Sequence, residues 1–270
     1  MTRREPQAEY DRDTTHGMLS SSFIHIRGIG PITEQRIWQR GVRDWDTFLA
    51  NPATAGIRGR KMVSLVESIA LSREHLRRGN HRYFSEVLAP REHWRAFPEF
   101  GRRIAYLDIE TTGTGEHDAI TMVGVYDGKR ACTYVKDENL QDFAEDIGRF
   151  QLLVTFFGSS FDLPFLRRRF PHVRLDQLHI DLCPAFHRLG YKGGLKRIEE
   201  QLEIPRSPET KGLNGWDAVR LWREWQHGSR EARELLLRYN TEDIVHLETL
   251  LEFAYPRLRE HVGFPVGASR

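Results

Sequence analysis

The chain has 270 residues, a formal net charge of +2 at pH 7, and 39% hydrophobic and 11% aromatic residues. This composition predicts a globular protein of one large or two modest domains, and it neither requires nor excludes a nucleic-acid partner. No apolar run approaches the length of a membrane span, and the amino terminus lacks a signal-peptide pattern. We therefore expect a cytoplasmic protein with no membrane partner; a monomer is the default, and the oligomeric state is left open.

In chain order, the polar residues 1–20 are predicted to be a flexible tail, and residues 21–100 a helical region. Start and stop signals within the helical region predict three helices, at 31–40, 45–49 and 60–78. Two cysteines that are far apart indicate neither a disulfide framework nor a zinc site.

The segment FIHIRGIGPITEQRIWQRG, at 23–41, resembles a helix-hairpin-helix motif. In that motif a Gly-x-Gly turn, here Gly28 to Gly30, exposes backbone N–H groups that bind phosphate without reading bases. In the alternative, the glycines make only a tight turn, and apolar residues pack a helical cap against the following domain. These apolar residues are Ile29, Ile32, Ile37 and Trp38. The sequence leaves both interpretations open.

Strand-like and helix-like runs alternate in a second region, 101–260, which is followed by a tail at 261–270. Five strands are predicted, at 104–111, 120–126, 130–136, 152–157 and 178–183. Five helices are predicted, at 138–149, 161–169, 194–203, 216–227 and 231–254. A hairpin-linked set of strands followed by alternating strands and helices predicts an α/β fold, with a mixed five-stranded sheet covered by helices.

Two acidic residues, Asp108 and Glu110, interrupt the apolar run IAYLDIETTG at 104–113. Because alternate residues of a strand point to the same face, their carboxylates are expected to lie side by side and to repel each other. The simpler alternative is that one of them reaches solvent at the end of the strand.

Two further segments carry acids beside apolar elements. Asp162 follows a buried strand and a small-residue turn in VTFFGSSFDLPFL, in the first turn of a helix, where it also suits the helix dipole. In LLLRYNTEDIVHLETL, Tyr239 and Asp243 are four residues apart and share one face of a helix. Taken singly, Tyr239 is consistent with a core aromatic residue and Asp243 with a solvated edge residue.

Four acids that converge from separate segments indicate a site for hard divalent cations, because such ions prefer oxygen ligands. Two ions about 3.5–4 Å apart stabilise the attacking and leaving oxygens of a phosphodiester displacement. We therefore predict two Mg²⁺ or Mn²⁺ ions among Asp108, Glu110, Asp162 and Asp243.

The motifs YLDIETTG, VTFFGSSFDLPFL and YNTED, in this order, resemble those of the DEDD superfamily of 3′–5′ exonucleases, which has a ribonuclease H-like fold. The Tyr239-x-x-x-Asp243 spacing resembles its tyrosine subtype. More narrowly, residues 82–254 resemble the YprB-type family of predicted exonucleases, in which RYFSEVL, GGLKRIEEQLEI and AVRLWREWQHGS also have counterparts.

The resemblance implies that Asp108, Glu110 and Asp243 hold the metal pair, with Asp108 bridging, and that Asp162 binds directly or through water. Tyr239 would orient the attacking water and help to deprotonate it. Because a phenol with a pKa of about 10 is a poor base, metal must supply most of the activation. The implied activity releases nucleoside monophosphates from the 3′ ends of DNA or RNA.

Contacts to nucleic acid are expected around this site and at the amino-terminal turn. The residues are Thr111, Thr112, Phe157, Phe161, Arg167 and Lys196, together with Gly28 and Gly30. Phe157 replaces the asparagine usual in the family, and Thr114 replaces a large apolar residue; both changes bear on substrate preference rather than on metal ligation. For Arg167, a solvated helical face is the alternative.

Two other functions stay open at this point. One is a catalytically silent ribonuclease H-like module that binds nucleic acid, and the other is a structure-selective endonuclease on the same fold. The intact acid set argues against a silent module, since carboxylates without metal repel phosphate. Circular substrates would separate an endonuclease from an exonuclease, because an exonuclease requires an end.

Overall fold

The structure, a computed structural model, describes residues 17–265. Most of the predicted amino-terminal tail lies outside this range, but Met18 and Leu19 at its end are fully buried. In the predicted carboxyl-terminal tail, Phe264 packs edge-on against Trp38, with ring centroids 5.2 Å apart. Packing therefore extends past both predicted tail boundaries within the described range. None of the helices in residues 17–265 combines the length and apolar character that crossing a membrane requires.

The helical region contains five short α-helices. They are α1 (Pro31–Gln39), α2 (Trp45–Ala50), α3 (Arg60–Arg77), α4 (His81–Val87) and α5 (Phe97–Phe100). The first three lie close to their predicted positions, and Asp44 caps α2 by accepting a hydrogen bond from the Thr47 N–H at 2.6 Å. Helices α4 and α5 and the short 3₁₀ turns around them were not predicted, because elements of four to seven residues show too little periodicity.

A mixed five-stranded sheet forms the second region, in the order β3-β2-β1-β4-β5. Its strands are β1 (Ile104–Thr111), β2 (Ile120–Tyr126), β3 (Ala131–Val135), β4 (Leu152–Thr155) and β5 (Leu178–Asp181). The central strand, β1, pairs antiparallel with β2 and parallel with β4, and β5 runs parallel to β4. The predicted α/β class and mixed sheet are confirmed.

Strands β4 and β5 both end two residues before their predicted limits. Phe157 has a left-handed backbone with φ of 69°, which a strand cannot accommodate. Asp181 ends β5 because its side chain caps the next helix, accepting from the Cys183 N–H at 3.1 Å.

Six further α-helices flank the sheet. They are α6 (Phe143–Asp146), α7 (Asp162–Arg169), α8 (Leu182–Arg188), α9 (Leu195–Gln201), α10 (Gly215–Gln226) and α11 (Arg230–His261). The predicted helix at 138–149 is instead α6 between two 3₁₀ turns, and α8 was not predicted. Helix α11 continues well past the predicted end at 254, since Tyr255 packs against Trp94 and Phe97 of the helical region.

The two faces of β1 belong to different cores. Tyr106 packs in the core that includes the helical region and α11, whereas Leu107 and Ile109 pack in the core that includes α6 and α7. Because residues alternate along a strand, Asp108 and Glu110 share the face of Tyr106. The sheet therefore aims both carboxylates toward α11.

Candidate metal centre

Three acids meet where β1 faces α11. One oxygen each of Asp108, Glu110 and Asp243 lies within 4.8 Å of the other two. Glu110 and Asp243 are buried, and Asp108 is partly exposed. Asp108 and Glu110 thus lie on one face of the strand, and helix α11 supplies the third carboxylate from more than 130 residues further along the chain.

The fourth predicted acid, Asp162, adjoins this group without belonging to it. It occupies the first turn of α7, is buried, and accepts a hydrogen bond from the Ile109 N–H at 3.2 Å. The loop before α7 is anchored by Asp181, which accepts from the N–H groups of Phe157 at 2.8 Å and Ser159 at 3.0 Å. Asp181 therefore anchors this loop and caps the helix that follows β5.

Burial and nearby carboxylates raise the pKa values of Asp108, Glu110 and Asp162. Burial is the largest cause for Asp108, whose pKa lies well above its usual value, with further increases from Glu110, Asp243 and Asp162. Burial likewise raises the pKa of Glu110 to about 8 and that of Asp162 to about 7. Negative charge is therefore concentrated here beyond what the surrounding protein neutralises.

Tyr239 lines the same pocket, and its hydroxyl stays protonated at neutral pH. Burial raises its pKa, and the nearby carboxylates of Asp243, Glu110 and Asp108 raise it further. A phenol in this setting donates a hydrogen bond and does not act as a base. Of the two roles expected for Tyr239, orienting a water molecule agrees with these electrostatics better than removing its proton.

The donor set fits a hard divalent cation. Glu110 Oε1 is buried and has no hydrogen-bond partner among the described residues. Asn240 Nδ2 donates to Asp108 Oδ2 at 3.0 Å, an approach that needs Gly124, since a Cβ there would lie 2.1 Å from Asn240 Oδ1. A buried acceptor without a donor is costly, and an oxygen-seeking ion would satisfy it.

Two basic side chains reach Asp243 but leave the other two acids of the group unpaired. Lys196 Nζ contacts the Asp243 carboxylate and lies 4.3 Å from the centroid of the Tyr239 ring. Arg206 contacts the same carboxylate at 2.5 Å. Within residues 17–265, no ion pair joins Asp108 or Glu110 to a cation. Lys196 thus contacts a predicted metal ligand, whereas the sequence suggested a contact to the substrate.

Arg206 belongs to a buried network that the sequence did not reveal. Both of its hydrogen bonds to Glu199 measure 2.6 Å, and His246 Nδ1 lies 3.0 Å from Glu199 Oε1. Arg206 lies in an irregular segment with no periodic signal. His246, however, follows Asp243 by three residues on α11, so a shared helical face was available as a clue.

The pocket that contains the acids is also lined by two aromatic side chains, Phe161 and Trp216. Its floor consists of Asp108, Glu110, Tyr239 and Asp243, and its sides include Thr111, Gly113, Thr114, Phe161, Asn214, Gly215 and Trp216. The α10 residues were not singled out in the sequence. Trp216 is the most exposed large hydrophobic residue of the described chain, at 71%.

The other predicted contacts to nucleic acid are spread around or away from this pocket. Thr111 and Phe161 line it, whereas Thr112 donates to Asp118 Oδ1 at 2.7 Å. Phe157 is 53% exposed but does not line the pocket, and Arg167 is exposed on α7.

The amino-terminal Gly-x-Gly turn lies in the helical region, outside the pocket lining. Gly28 has a φ of 87°, and the described residues before it form successive turns rather than a helix. Ile37 and Trp38 are buried as a packed cap would require, although Ile32 is 65% exposed. Phosphate binding at Gly28 and Gly30 stays a prediction.

Two solved structures are similar to parts of this chain. The family B DNA polymerase from the hyperthermophilic archaeon Pyrobaculum calidifontis is similar over 57% of this chain, with a TM-score of 0.47 and 19% identity. The matched part spans only 25% of the polymerase chain. The Aedes aegypti Nibbler EXO domain is similar over 63% of this chain and 86% of its own, with a TM-score of 0.35 and 16% identity.

No curated protein is similar enough to this chain to match it. The model of the RNase_H superfamily matches residues 105–255, which include the sheet except Ile104 at the start of β1, and all four predicted metal ligands. That match covers more than half of the chain, and the protein therefore belongs to the RNase_H superfamily.

Proposed function

We propose that this protein is a metal-dependent 3′–5′ exonuclease that hydrolyses phosphodiester bonds of DNA or RNA, using two Mg²⁺ or Mn²⁺ ions. The observation that best supports the proposal is the approach of Asp108, Glu110 and Asp243 to within 4.8 Å in an open pocket. Membership of the RNase_H superfamily agrees with nuclease chemistry. The resemblance to the YprB-type family supports the same activity. We also propose that the protein belongs to the tyrosine subtype of the DEDD exonucleases.

In this proposal Asp108, Glu110 and Asp243 hold the ions, and Asp162 contributes from α7 directly or through water. The chemistry that such ions supply when bound is activation of water and stabilisation of charge on phosphodiester oxygens. Tyr239 donates a hydrogen bond that orients the attacking water. Electrostatics favour this assignment, because buried carboxylates with raised pKa values have more to gain from cations than exposed ones.

Lys196 has a separate part in the proposal. It contacts Asp243 and lies over the Tyr239 ring, so it fixes both side chains relative to each other. Its side chain is 29% exposed, which leaves the ammonium group accessible to a substrate phosphate that enters the pocket. A phosphate contact by Lys196 is therefore compatible with its ion pair.

The test is hydrolysis of end-labelled single-stranded, duplex and overhang DNA and RNA, with Mg²⁺ or Mn²⁺ and with excess EDTA. We expect a 5′ label to give a ladder that shortens with time, and a 3′ label to give mononucleotide at once. An Asp108→Asn, Asp243→Asn double variant should lose about 10³-fold in rate, since metal-ion catalysis supplies several kcal/mol. Glu145→Gln, which alters an exposed acid on α6, is the matched control.

The outcomes separate the competing functions. Full activity in excess EDTA, or an undiminished rate in the double variant, would rule out the proposal. Cleavage of circular strands would instead support the structure-selective endonuclease. Metal-dependent binding with no hydrolysis of any substrate would support the silent binding module.

A further inference from the structure

Trp216 is exposed to an extent unusual for its residue type. Its exposed fraction is 71%, whereas Trp38, Trp45, Trp94 and Trp222 are buried. An exposed tryptophan does not contribute the large stabilisation of the folded state that burial of its ring would provide. Exposed tryptophans are accordingly enriched where a protein contacts a partner or ligand.

The exposure of Trp216 does not result from a frayed helix end. Trp216 N–H donates to Asn214 Oδ1 at 2.9 Å, and the Asn214 N–H donates to Asp217 Oδ2 at 3.0 Å, which completes a capping box. Further along α10, Leu221 and Trp222 are buried and anchor the helix. The backbone therefore holds the indole ring at the pocket mouth.

The position of Trp216 indicates what its ring contacts. It shares one pocket with Asp108, Glu110 and Asp243, with Thr114 at the same rim. A ligand that contacts both the acids and Trp216 needs an anionic group, which approaches cations held by the acids, and a flat π-face, which stacks on the indole ring. A nucleotide has both, because its phosphate and base are separated only by the sugar.

We propose that Trp216 stacks on an unpaired nucleobase next to the scissile phosphodiester, and that the pocket therefore selects single-stranded ends. This inference rests on the proposed exonuclease function and adds its substrate class. Stacking tolerates any sequence, since every base has a π-face. A paired base is already stacked within the duplex and would have to be unpaired before Trp216 could contact its face.

The test compares oligonucleotides that differ only at the 3′ end. One single strand carries normal bases, and the other has abasic sites at its last two nucleotides. Equilibrium binding is measured by fluorescence anisotropy with Mg²⁺ in the inactive Asp108→Asn background. KM and kcat are measured in the otherwise native protein. The added variants are Trp216→Ala, Trp216→Phe and the control Leu71→Ala, which alters an exposed apolar residue on α3.

We expect Trp216→Ala to weaken binding of the normal strand and raise its KM by about 5- to 150-fold, the range for loss of one stacked base. Affinity and KM for the abasic strand should change less than about twofold, because that strand has no base on which Trp216 could stack. Trp216→Phe should keep most of the affinity, and Leu71→Ala all of it.

Equal effects of Trp216→Ala on both strands would overturn the stacking assignment, as would no effect on either. If the native protein hydrolyses single strands while Trp216→Ala binds them normally, only this inference fails. If the native protein hydrolyses no substrate with either metal, the exonuclease proposal itself fails. Unfolding midpoints should be unchanged in Trp216→Ala, since the exposed ring contributes little to the core.

Discussion

The helical region and the acidic pocket both bury charge, but they treat it differently. In the helical region, the Arg95 side chain is 2% exposed and contacts Glu34 at 3.0 Å and Glu92 at 2.7 Å. It also donates to Ser22 Oγ at 2.9 Å. In the pocket, no cation of residues 17–265 forms an ion pair with Asp108 or Glu110, and the pKa values of both acids are raised. The helical region pairs its buried carboxylates with an arginine of its own, whereas the described residues around the pocket leave Asp108 and Glu110 without an ion pair.

This contrast separates structural charge from charge available for chemistry. Burial raises the pKa of Glu34, but Arg95 and the N–H groups of Phe23 and Ile24 oppose the rise. A cluster closed in this way has no need of a ligand. Unpaired carboxylates at a pocket floor retain a cost that a bound cation would remove, which is why strongly perturbed acids mark candidate sites.

One acid behind the pocket, Glu199, has its charge compensated. Although burial raises the pKa of Glu199, hydrogen bonds from His246 and Arg206 outweigh it and lower the pKa to about 2. The same Arg206 contacts Asp243. Arg206 thus links Asp243 to a network of paired charges, whereas Asp108 and Glu110 on β1 form no ion pair within residues 17–265.

The largest expected effect is in the helical region. Arg95→Met should lower the free energy of unfolding by about 3–5 kcal/mol, because it leaves the Glu34 carboxylate buried without its cation, while Glu92 keeps Arg188 at 3.2 Å. Urea unfolding followed by tryptophan fluorescence measures this loss. Arg73→Met is the control, since its pair with Asp46 is exposed and such pairs contribute about 0–1 kcal/mol. Similar losses in both variants would contradict the assignment of Arg95 as the cation that stabilises a buried carboxylate.

Glu99 lies outside the pocket and also has a raised pKa. We expect its titration to affect stability and not activity. Burial raises its pKa to about 7, against hydrogen bonds from the Ser20 and Leu19 N–H groups. The folded state therefore holds a proton that the unfolded chain has already lost, so stability is greatest below about pH 4.5 and falls until about pH 7. The contribution of Glu99 to this fall should be about 3 kcal/mol, and Glu99→Gln should remove that contribution, while the dependence due to Glu110 and Asp162, whose pKa values are also raised, remains.

Urea unfolding at closely spaced pH values from 4 to 8 measures this dependence, with exonuclease assays at pH 7.5 as the second readout. Glu99→Gln should leave the exonuclease rate unchanged, because Glu99 does not line the pocket. An identical pH dependence in the native and variant proteins would show that Glu99 does not titrate in this way.

A smaller effect is expected behind the pocket. Arg206→Lys removes the paired hydrogen bonds to Glu199 while keeping the positive charge, so Asp243 loses its fixed orientation. Groups that orient metal ligands typically contribute 10- to 100-fold to metal affinity, and a loss of about that size is expected. Calorimetric titration with Mn²⁺ measures it, with Arg197→Lys, in an exposed pair with Glu200, as the control. Unchanged affinity would mean that the network does not support the metal centre.

Local sequence patterns predicted the elements that carry the acids. The apolar run at 104–111 predicted β1 with its observed limits, and alternation predicted that Asp108 and Glu110 share a face. The small-residue turn before Asp162 predicted the start of α7. These signals are local, since they depend on neighbours within a few residues. The same reasoning missed α8, whose seven residues start on the Asp181 cap.

By itself, the sequence determined the five strands, most of the helices and the two carboxylates that must lie together on β1. Only the tertiary structure decided that Asn240, Lys196 and Arg206 surround the acids and that Trp216 stands at their rim. The physical reason is distance along the chain. Periodicity indicates which face of an element a side chain occupies, but partners that are 37 to 132 residues apart meet only when the sheet and the helices pack.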